Sequence, residues 1–258
     1  MLGERGVFPE KFVKSMRGTL TQGGLVIVTL QPDARALYDG RTLAQYKDQI
    51  VLGFGRDAPV NQSVLFTRGE TARAVDFKLA PRAYVEQRID GLPPAFVTPP
   101  AEALAKIKRE AASKRKARGE LTLRGGFAEA FIWPVAGRIT GVYGSRRFYN
   151  GEPRRPHYGI DIAAPAGTPI KAPAMGRVTL ASPDMYFEGG LIFLDHGLGV
   201  TSVFMHLETL AVKVGDEVAQ GDIIGTVGST GRSTGPHLDW RMYWADQRID
   251  PALLAPPR

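Results

Sequence analysis

Short apolar runs separated by polar turns fill the first third of the chain. The run LVIVTL is apolar from Leu25 to Leu30 and is ended by Pro32, a pattern that predicts a buried strand. The runs IVLGFG, SVLFT and AVDFKL follow at short spacing, separated by the turn-like stretches RDAPVN and RGET. Several short strands joined by polar turns predict a small β-sandwich domain at residues 1–98.

The predicted sandwich carries no histidine and no constellation of catalytic side chains. A binding or spacer role is one interpretation of this part of the chain. A purely structural or autoinhibitory cover is the other, and the sequence leaves both open.

The middle of the chain changes to a helical pattern. The proline-rich stretch GLPPAFVTPP (91–100) is stiff and predicts a domain boundary. The next stretch, AEALAKIKREAASKRKARGE, is rich in Ala, Lys and Glu, which predicts a basic helical linker at residues 99–125. Its cationic side chains are Lys106, Lys108, Arg109, Lys114, Arg115, Lys116 and Arg118. Two interpretations remain open, a contact with an anionic surface and a charged linker helix that faces water.

From residue 126 the pattern becomes one of short apolar runs punctuated by glycine, and no long amphipathic helix follows. This predicts a compact fold of β-hairpins at residues 126–258. The stretches APAMGRV and VKVGDEVAQGDIIG resemble the half-motifs of biotinyl and lipoyl carrier domains. Lys171 lacks the hairpin-tip setting of an acylated lysine, so we reject a carrier function and keep the barrel-sandwich topology. The expected fold class is therefore mainly β.

Composition narrows the protein class. The 258 residues are 43% hydrophobic and 23% charged, as in soluble globular proteins, and no run approaches the length of a membrane span. The opening MLGERGVFPEKFVKSM has no hydrophobic segment of the kind that signal peptides contain. There is no cysteine, which excludes thiolate ligands, thiol catalysis and disulfides.

The charge of the chain favours an anionic partner. Lys and Arg number 33 against 26 Asp and Glu, which gives a net charge of +7. Nucleic acid, anionic lipid and the bacterial cell wall all meet this criterion. A nucleic-acid site needs aromatic side chains among the basic ones, and the basic helix has none, so we expect no nucleic-acid partner.

Four side chains in the second half carry the candidate chemistry: His157 and Asp161 in HYGID, and His237 and Asp239 in GPHLDW. His and Asp are ligands that a borderline divalent metal prefers. Three of the four histidines, including His206, lie in short segments rich in Gly and Pro. This placement favours a built site over scattered core histidines.

The spacing of these residues restricts their geometry. Residues i and i+2 of a strand share a face, so His237 and Asp239 project together while Leu238 packs on the other side. His157 and Asp161 would lie roughly 13 Å apart along a straight strand, too far for one ion. We therefore expect a turn near Gly159, followed by a strand whose isoleucines face the core and whose aspartate faces the site.

Three stretches carry a resemblance to a known family: HYGIDIAAPAGTPIKAPAMGRV, LDHGLGVTSVFMHL and VKVGDEVAQGDIIGTVGSTGRSTGPHLDW. Over residues 132–254 the chain resembles the lysostaphin-type (LytM or M23) zinc metallopeptidases that cut peptidoglycan cross-bridges. The N-terminal half resembles, less specifically, the β-rich preceding domain of Gram-negative members. The resemblance implies one Zn²⁺ per chain, peptidoglycan as the partner, and a location in the periplasm or cell envelope. It identifies no regulatory protein partner.

The resemblance also implies roles for individual residues. His157 and Asp161 match zinc ligands, and His206 and His237 match the two catalytic histidines that activate water and stabilise the oxyanion. His196 matches a recurrent histidine that is not a ligand, and we interpret it as structural. Positions expected in or near the substrate cleft are Tyr143, Arg146, Asn150 and Asp195.

One position departs from the usual family pattern. The family has HxH, and the second histidine, a metal ligand, is replaced here by Asp239. An aspartate oxygen sits two bonds beyond Cβ, as does histidine Nδ1, so we predict that Asp239 is the third ligand. Two carboxylates offset the charge of the ion and are expected to make bound water less acidic.

The expected function is metal-assisted hydrolysis of a peptide cross-link in peptidoglycan. The alternative is a non-catalytic relative that binds the cell wall or activates an amidase. Such relatives generally lose ligands outright, whereas all three ligand positions here hold metal-binding side chains.

Overall fold

The computed structural model of the protein describes residues 7–91 and 99–258. The predicted boundary GLPPAFVTPP falls mostly on residues 92–98, which lie outside the described residues. The described part is mainly β, which confirms the expected fold class. The division at residues 98 and 125 stays a prediction.

Eight strands form within residues 7–91, the first range that the structure describes. They are β1 (Val13–Gly18), β2 (Leu25–Leu30), β3 (Ala34–Tyr38), β4 (Arg41–Thr42), β5 (Gln49–Gly53), β6 (Asn61–Arg68), β7 (Thr71–Lys78) and β8 (Glu86–Ile89). Strands β1, β2 and β5 make one antiparallel sheet, and β4, β3, β6 and β7 make a second. The two sheets enclose an apolar core that includes Phe12, Phe54 and Phe66, so the expected sandwich is confirmed.

Strand β2 is buried on both faces, and this explains why it is apolar at every position except Thr29. Val26 and Val28 point into the sandwich core. Leu25 and Ile27 point the other way, into the main core of the C-terminal half. The first sheet therefore separates two hydrophobic cores and belongs to both.

One α-helix, α1 (Leu104–Gly119), lies inside the basic segment. Its inward side is held to the C-terminal sheet: Glu110 accepts hydrogen bonds from the backbone N–H of Tyr186, and Lys114 pairs with Glu188. The outward side carries Lys108, Arg109, Arg115 and Lys116, which are exposed. Within the described ranges, no helix combines the length and apolar character needed to cross a membrane.

Twelve strands follow the helix. They are β9 (Arg138–Gly141), β10 (Arg146–Tyr149), β11 (Glu152–Arg154), β12 (Ile160–Ala163), β13 (Pro169–Lys171), β14 (Gly176–Met185), β15 (Gly189–Gly197), β16 (Val200–Leu210), β17 (Glu217–Val218), β18 (Ile223–Val227), β19 (His237–Trp244) and β20 (Gln247–Ile249). All but β10 and β11 belong to one ten-stranded sheet, whose main path runs β17-β14-β15-β16-β19-β12-β9. Its core contains Trp240, Phe204 and Ile162, all fully buried.

A small third sheet joins the two halves beside the candidate site. Strand β8 pairs in parallel with β10, which turns back into β11. Through this pairing, Gln87 of β8 accepts a hydrogen bond of 3.1 Å from the guanidinium of Arg147 on β10. The N-terminal part of the chain thus contributes directly to one wall of the cleft.

Candidate metal centre

Two neighbouring strands bring the candidate carboxylates together. Strands β12 and β19 are antiparallel, and their register places Asp161 directly opposite Asp239. Directly opposed residues share a face of the sheet. Ile160, Ile162 and Leu238 point to the other face, into the core, as the alternation predicted.

His157 reaches the same point from the loop before β12. Its backbone N–H donates to the carbonyl of Ser145 at 2.9 Å, and its carbonyl accepts from the N–H of Gly144 at 2.7 Å, which fixes the loop. Its Nε2 lies 3.1 Å from Oδ1 of Asp161 and 3.4 Å from Oδ2 of Asp239. One ligand atom from each of the three residues lies within 4.8 Å of the others.

Two glycines make room for the carboxylates. A Cβ on Gly141 would lie 2.2 Å from Oδ2 of Asp161, and a Cβ on Gly159 would lie 2.5 Å from Oδ1 of Asp239. Such distances are far inside van der Waals contact, so a side chain at either position would displace an aspartate. The sequence contained this signal as glycines in GRITG and HYG, which sequence reasoning alone did not connect to the site.

Two arginines, absent from the predicted site, hold the aspartates. Nη2 of Arg147 donates to Oδ2 of Asp161 at 2.7 Å. Arg241 grips both oxygens of Asp239, with Nη2 at 2.7 Å from Oδ2 and Nε at 3.0 Å from Oδ1. Arg241 was detectable from sequence, because it lies two positions from Asp239 on the same strand face; Arg147 depends on the fold.

Electrostatics distinguishes the three candidate ligands from ordinary surface groups. Burial works to lower the pKa of His157, but the charges of Asp161 and Asp239 outweigh it and raise the pKa. Burial works to raise the pKa of both aspartates. For Asp161 the charge of His157 reverses this effect, and for Asp239 the charge of Arg241 does so, so both pKa values are lowered. Both carboxyls are therefore ionised at neutral pH.

The donor set passes a test of fit for a divalent cation. Oδ1 of Asp161 is buried, and within the described part of the chain the one nitrogen close to it is Nε2 of His157 at 3.1 Å, which is itself a candidate ligand atom. A cation between these atoms would satisfy the buried charge of the carboxylate. One imidazole nitrogen and two carboxylate oxygens are donors that suit Zn²⁺, and a set of three leaves a coordination position open.

The two remaining histidines stand beside this cluster with defined tautomers. His206 and His237 have ring centroids 4.8 Å apart, and Nε2 of His237 lies 4.0 Å from Oδ1 of Asp161. Nδ1 of His206 lies 2.8 Å from the carbonyl oxygen of Thr230, and Nδ1 of His237 lies 2.8 Å from that of Gly235. Because carbonyls only accept, each Nδ1 carries the proton, and each neutral ring has its lone pair on Nε2.

His206 adopts an unusual backbone conformation for a strand residue. Its φ of 65° falls in the left-handed region, where the register between β16 and its neighbours shifts. Such a conformation in a non-glycine residue costs roughly 1–3 kcal/mol and recurs at functional positions. Its backbone N–H donates to the carbonyl of Glu188 at 2.8 Å, which anchors the bulge. Burial lowers the pKa of His206, so the ring is neutral at neutral pH.

A cleft of about 420 Å³ opens above the cluster. Its lining includes the aspartates, both histidines and both carboxylate-bound arginines, together with Gln87, Thr140, Tyr149, Ala163, Phe187, Glu188, Met205, Arg232, Ser233, Thr234, Gly235 and Pro236. This size suits a peptide segment.

None of the four residues expected in or near the cleft is among those that line it. Tyr143 is 2% exposed and donates its hydroxyl to the carbonyl of Arg248 at 2.7 Å, so it packs inside the fold. Arg146 and Asn150 are exposed and do not line the cleft, whereas Arg147 and Tyr149 do. Strand alternation in β10 places the odd positions toward the cleft, and this register was invisible in the sequence.

His196 and Asp195 lie away from the cleft, in the sheet interior. His196 is fully buried, donates from Nδ1 to the carbonyl of Met175 and accepts at Nε2 from Ser202. Both nitrogens are satisfied, which suits a structural histidine. Asp195 accepts from the N–H of Gly197 and lies 3.6 Å from Arg124.

Comparison with known proteins relates the cleft to a described family. Residues 155–251 match the family described as Peptidase family M23. A protein of Pseudomonas aeruginosa described as a peptidase M23 has a crystal structure that matches with a TM-score of 0.71 and 31% identity. That match covers 92% of this chain and 95% of the other.

Curated relatives match over shorter stretches. The DD-carboxypeptidase/endopeptidase Mpg of Neisseria meningitidis is 38% identical over 120 residues, which are 46% of this chain and 27% of that protein. The peptidoglycan DD-endopeptidase ShyC of Vibrio cholerae is 43% identical over 84 residues, which are 33% of this chain and 19% of that protein. The chain thus spans about a quarter or less of the length of these relatives.

Proposed function

The chain belongs to peptidase family M23, and from this premise we propose that it is a zinc-dependent endopeptidase that hydrolyses peptide cross-links of peptidoglycan. The observation that carries the proposal is the convergence of Nε2 of His157, Oδ1 of Asp161 and Oδ2 of Asp239 beneath a cleft rimmed by two histidines. The relatives named as DD-endopeptidases support a cross-link of the DD type and do not favour the non-catalytic alternative.

His157, Asp161 and Asp239 would hold the ion in this proposal. Bound zinc supplies a Lewis acid that polarises the scissile carbonyl and makes water more acidic. Arg147 and Arg241 fix the two carboxylates, and backbone hydrogen bonds to Ser145 and Gly144 fix the loop that carries His157. Such supporting contacts set ligand orientation.

His206 and His237 carry the proton transfers. Each presents an unprotonated Nε2, because its Nδ1–H is committed to a backbone carbonyl. One Nε2 accepts a proton as water adds to the amide carbon, and the same proton then passes to the amine nitrogen as the C–N bond breaks. The ring centroid of the other imidazole lies 4.8 Å away, and this ring donates to the developing oxyanion once it has taken up a proton on its own Nε2.

The deciding experiment combines metal analysis with digestion of purified peptidoglycan. We expect one zinc per chain and release of cross-link cleavage products, which mass spectrometry of the muropeptides assigns to a specific bond. His237→Ala is expected to retain zinc and lose activity by about 100-fold or more, because a proton carrier is removed while the ligands remain.

Two variants complete the design. His157→Ala is expected to lose both zinc and activity, whereas Lys213→Ala, at an exposed side chain outside the cleft, is expected to change neither. Zinc-loaded protein that leaves peptidoglycan intact would reject the endopeptidase proposal. Fractionation of cells is the matching test of location, for which we propose the periplasm or cell envelope because the named relatives act on peptidoglycan.

A further inference from the structure

The charges at the candidate metal centre balance before any ion binds. Asp161 and Asp239 contribute two negative charges, and Arg147 and Arg241 contribute two positive charges, each within 2.7 Å of its carboxylate partner. Asp239 is 3% exposed, so this pairing replaces most of its contact with water. A guanidinium that holds both oxygens of a carboxylate forms the strongest common ion pair in proteins.

The pair formed by Asp239 and Arg241 offers an oxygen donor to the centre while carrying no net charge. A neutral imidazole offers a nitrogen donor and also carries no net charge. In electrostatic terms the Asp–Arg pair is therefore equivalent to a histidine ligand, and the extra carboxylate does not reduce the positive charge of a bound ion.

We propose that Arg241 is a positioning residue that makes Asp239 act as a charge-neutral metal ligand, so that the affinity for zinc depends on the pair and not on Asp239 alone. The inference rests on the proposed function, because it assumes that the cluster binds zinc. It differs from the expectation from sequence that two carboxylates would make the centre less electropositive, and the zinc affinities below decide between the two.

Geometry supports an effect of Arg241 on the ion itself. Nη2 of Arg241 and Nε2 of His157 approach the same oxygen of Asp239, at 2.7 Å and 3.4 Å. A cation bound to that oxygen would stand close to the guanidinium in a site with little solvent. At the effective dielectric constant of a protein, repulsion between two positive charges this close lowers the affinity for the ion severalfold or more.

The test measures zinc affinity of the whole chain by competition with a chromogenic chelator, so activity is not needed as a readout. We expect Arg241→Gln to bind zinc at least about tenfold more tightly, because it removes the repelling charge and keeps a hydrogen-bond donor. Arg241→Lys keeps the charge and is expected to stay within about threefold of the wild type. If orientation alone mattered, both variants would bind more weakly.

A double-mutant cycle examines the pair as a unit. Asp239→His leaves the charge of Arg241 unbalanced and is expected to weaken zinc binding at least about tenfold. Asp239→His combined with Arg241→Gln restores a neutral ligand and is expected to return to within about threefold of the wild type. Arg146→Gln is the matched control, since it removes one exposed arginine next to the site and touches neither aspartate.

The possible outcomes separate the two proposals. Rescue in the double variant, with tighter binding by Arg241→Gln, supports the neutral pair. Weaker binding by Arg241→Gln, or additive losses in the cycle, overturns the inference while the endopeptidase proposal stands. Absence of zinc binding by the wild type overturns both. If Asp239→His fails to fold, as circular dichroism would show, the opposite expectations for Arg241→Gln still decide the matter.

Discussion

The sandwich near the N terminus and the sheet that carries the cleft are both β, yet they bury different groups. In the described residues before 92, Thr21 is the one buried polar or charged side chain. The C-terminal sheet buries His157, Asp161, His206 and Asp239 at the cleft and His196 in its interior. Apolar burial stabilises a fold directly, whereas buried charges require partners and cost free energy to assemble. The sandwich core is thus almost purely apolar, whereas the C-terminal half combines a larger apolar core with a cluster of buried chemical groups.

The largest expected effect on stability comes from the sandwich core. Phe66 is fully buried and packs edge-on to Phe8 with ring centroids 5.3 Å apart. We expect Phe66→Ala to lower the free energy of unfolding by about 3–5 kcal/mol, since a large cavity remains. Urea titration measures this. Zinc affinity of the protein that remains folded should be unchanged, and a parallel loss of affinity would contradict the separation of roles.

A second prediction concerns pH and the interior of the C-terminal sheet. Burial lowers the pKa of His196 to about 4 from an ordinary value of 6.5. Between these values the unfolded chain binds a proton that the native state refuses, so the stabilisation is complete above about pH 6.5 and disappears toward pH 4. Over this pH range the free energy of unfolding is expected to fall by roughly 3 kcal/mol.

The matched variant for this prediction is His196→Gln, which keeps polar atoms and does not titrate. We expect the difference in free energy of unfolding between wild type and variant to shrink by that amount from pH 7 to pH 4. All other titrating groups are common to both proteins and cancel. A difference that is constant with pH would show that the pKa of His196 is the same in the native and unfolded states.

The third prediction concerns stabilisation by zinc, which we expect to bind only at the centre beneath the cleft. Free zinc at 100 times its dissociation constant is expected to raise the free energy of unfolding by about 2.7 kcal/mol through binding to the native state. Thermal unfolding with and without a chelator measures it. His157→Ala is expected to abolish the effect, and stabilisation that persists in this variant would place the ion elsewhere.

The smallest effect is expected at the joint between α1 and the cleft wall. Lys114 pairs with Glu188, and both side chains are less than one fifth exposed. We expect Lys114→Ala to lower the free energy of unfolding by about 1–2 kcal/mol, because a partly buried carboxylate loses its partner. Lys116→Ala removes the same charge from the exposed side of α1 and is expected to stay within about 0.5 kcal/mol of the wild type. Equal effects would mean that the pair does not anchor the wall.

Much of the fold followed from the sequence because its signals were local. The uniform apolar run of β2 and the alternation around Asp161 and Leu238 were sufficient to predict which side chains are buried. Strands β1 and β8 were missed, since VKSMRG and EQRI lack an apolar alternation; β1 forms by pairing with β2, and β8 by pairing with the distant strand β10. Pairing partners are set by tertiary contacts, which a local pattern does not contain.

At the candidate site, too, the sequence did not show what depends on the pairing of distant strands. The resemblance to a known family implied that His157, Asp161 and Asp239 form one site, and strand geometry was consistent with that expectation. The sequence did not show that Arg146 and Asn150 lie outside the cleft lining, because the register of β10 depends on its parallel pairing with β8. Arg147 could not be assigned for the same reason, although it contacts a predicted ligand.

The burial of β2 on both faces has a consequence for any fragment made from the C-terminal half. A fragment that began after the linker would lack Leu25, Ile27 and Val51, which complete the core beneath the cleft sheet. The uncovered patch would also lose the ion pair of 2.8 Å between Arg82 and Asp250 that closes its rim. We expect such an excised fragment to self-associate, so an isolated cleft for crystallisation or fusion needs surface redesign or must keep the first sheet.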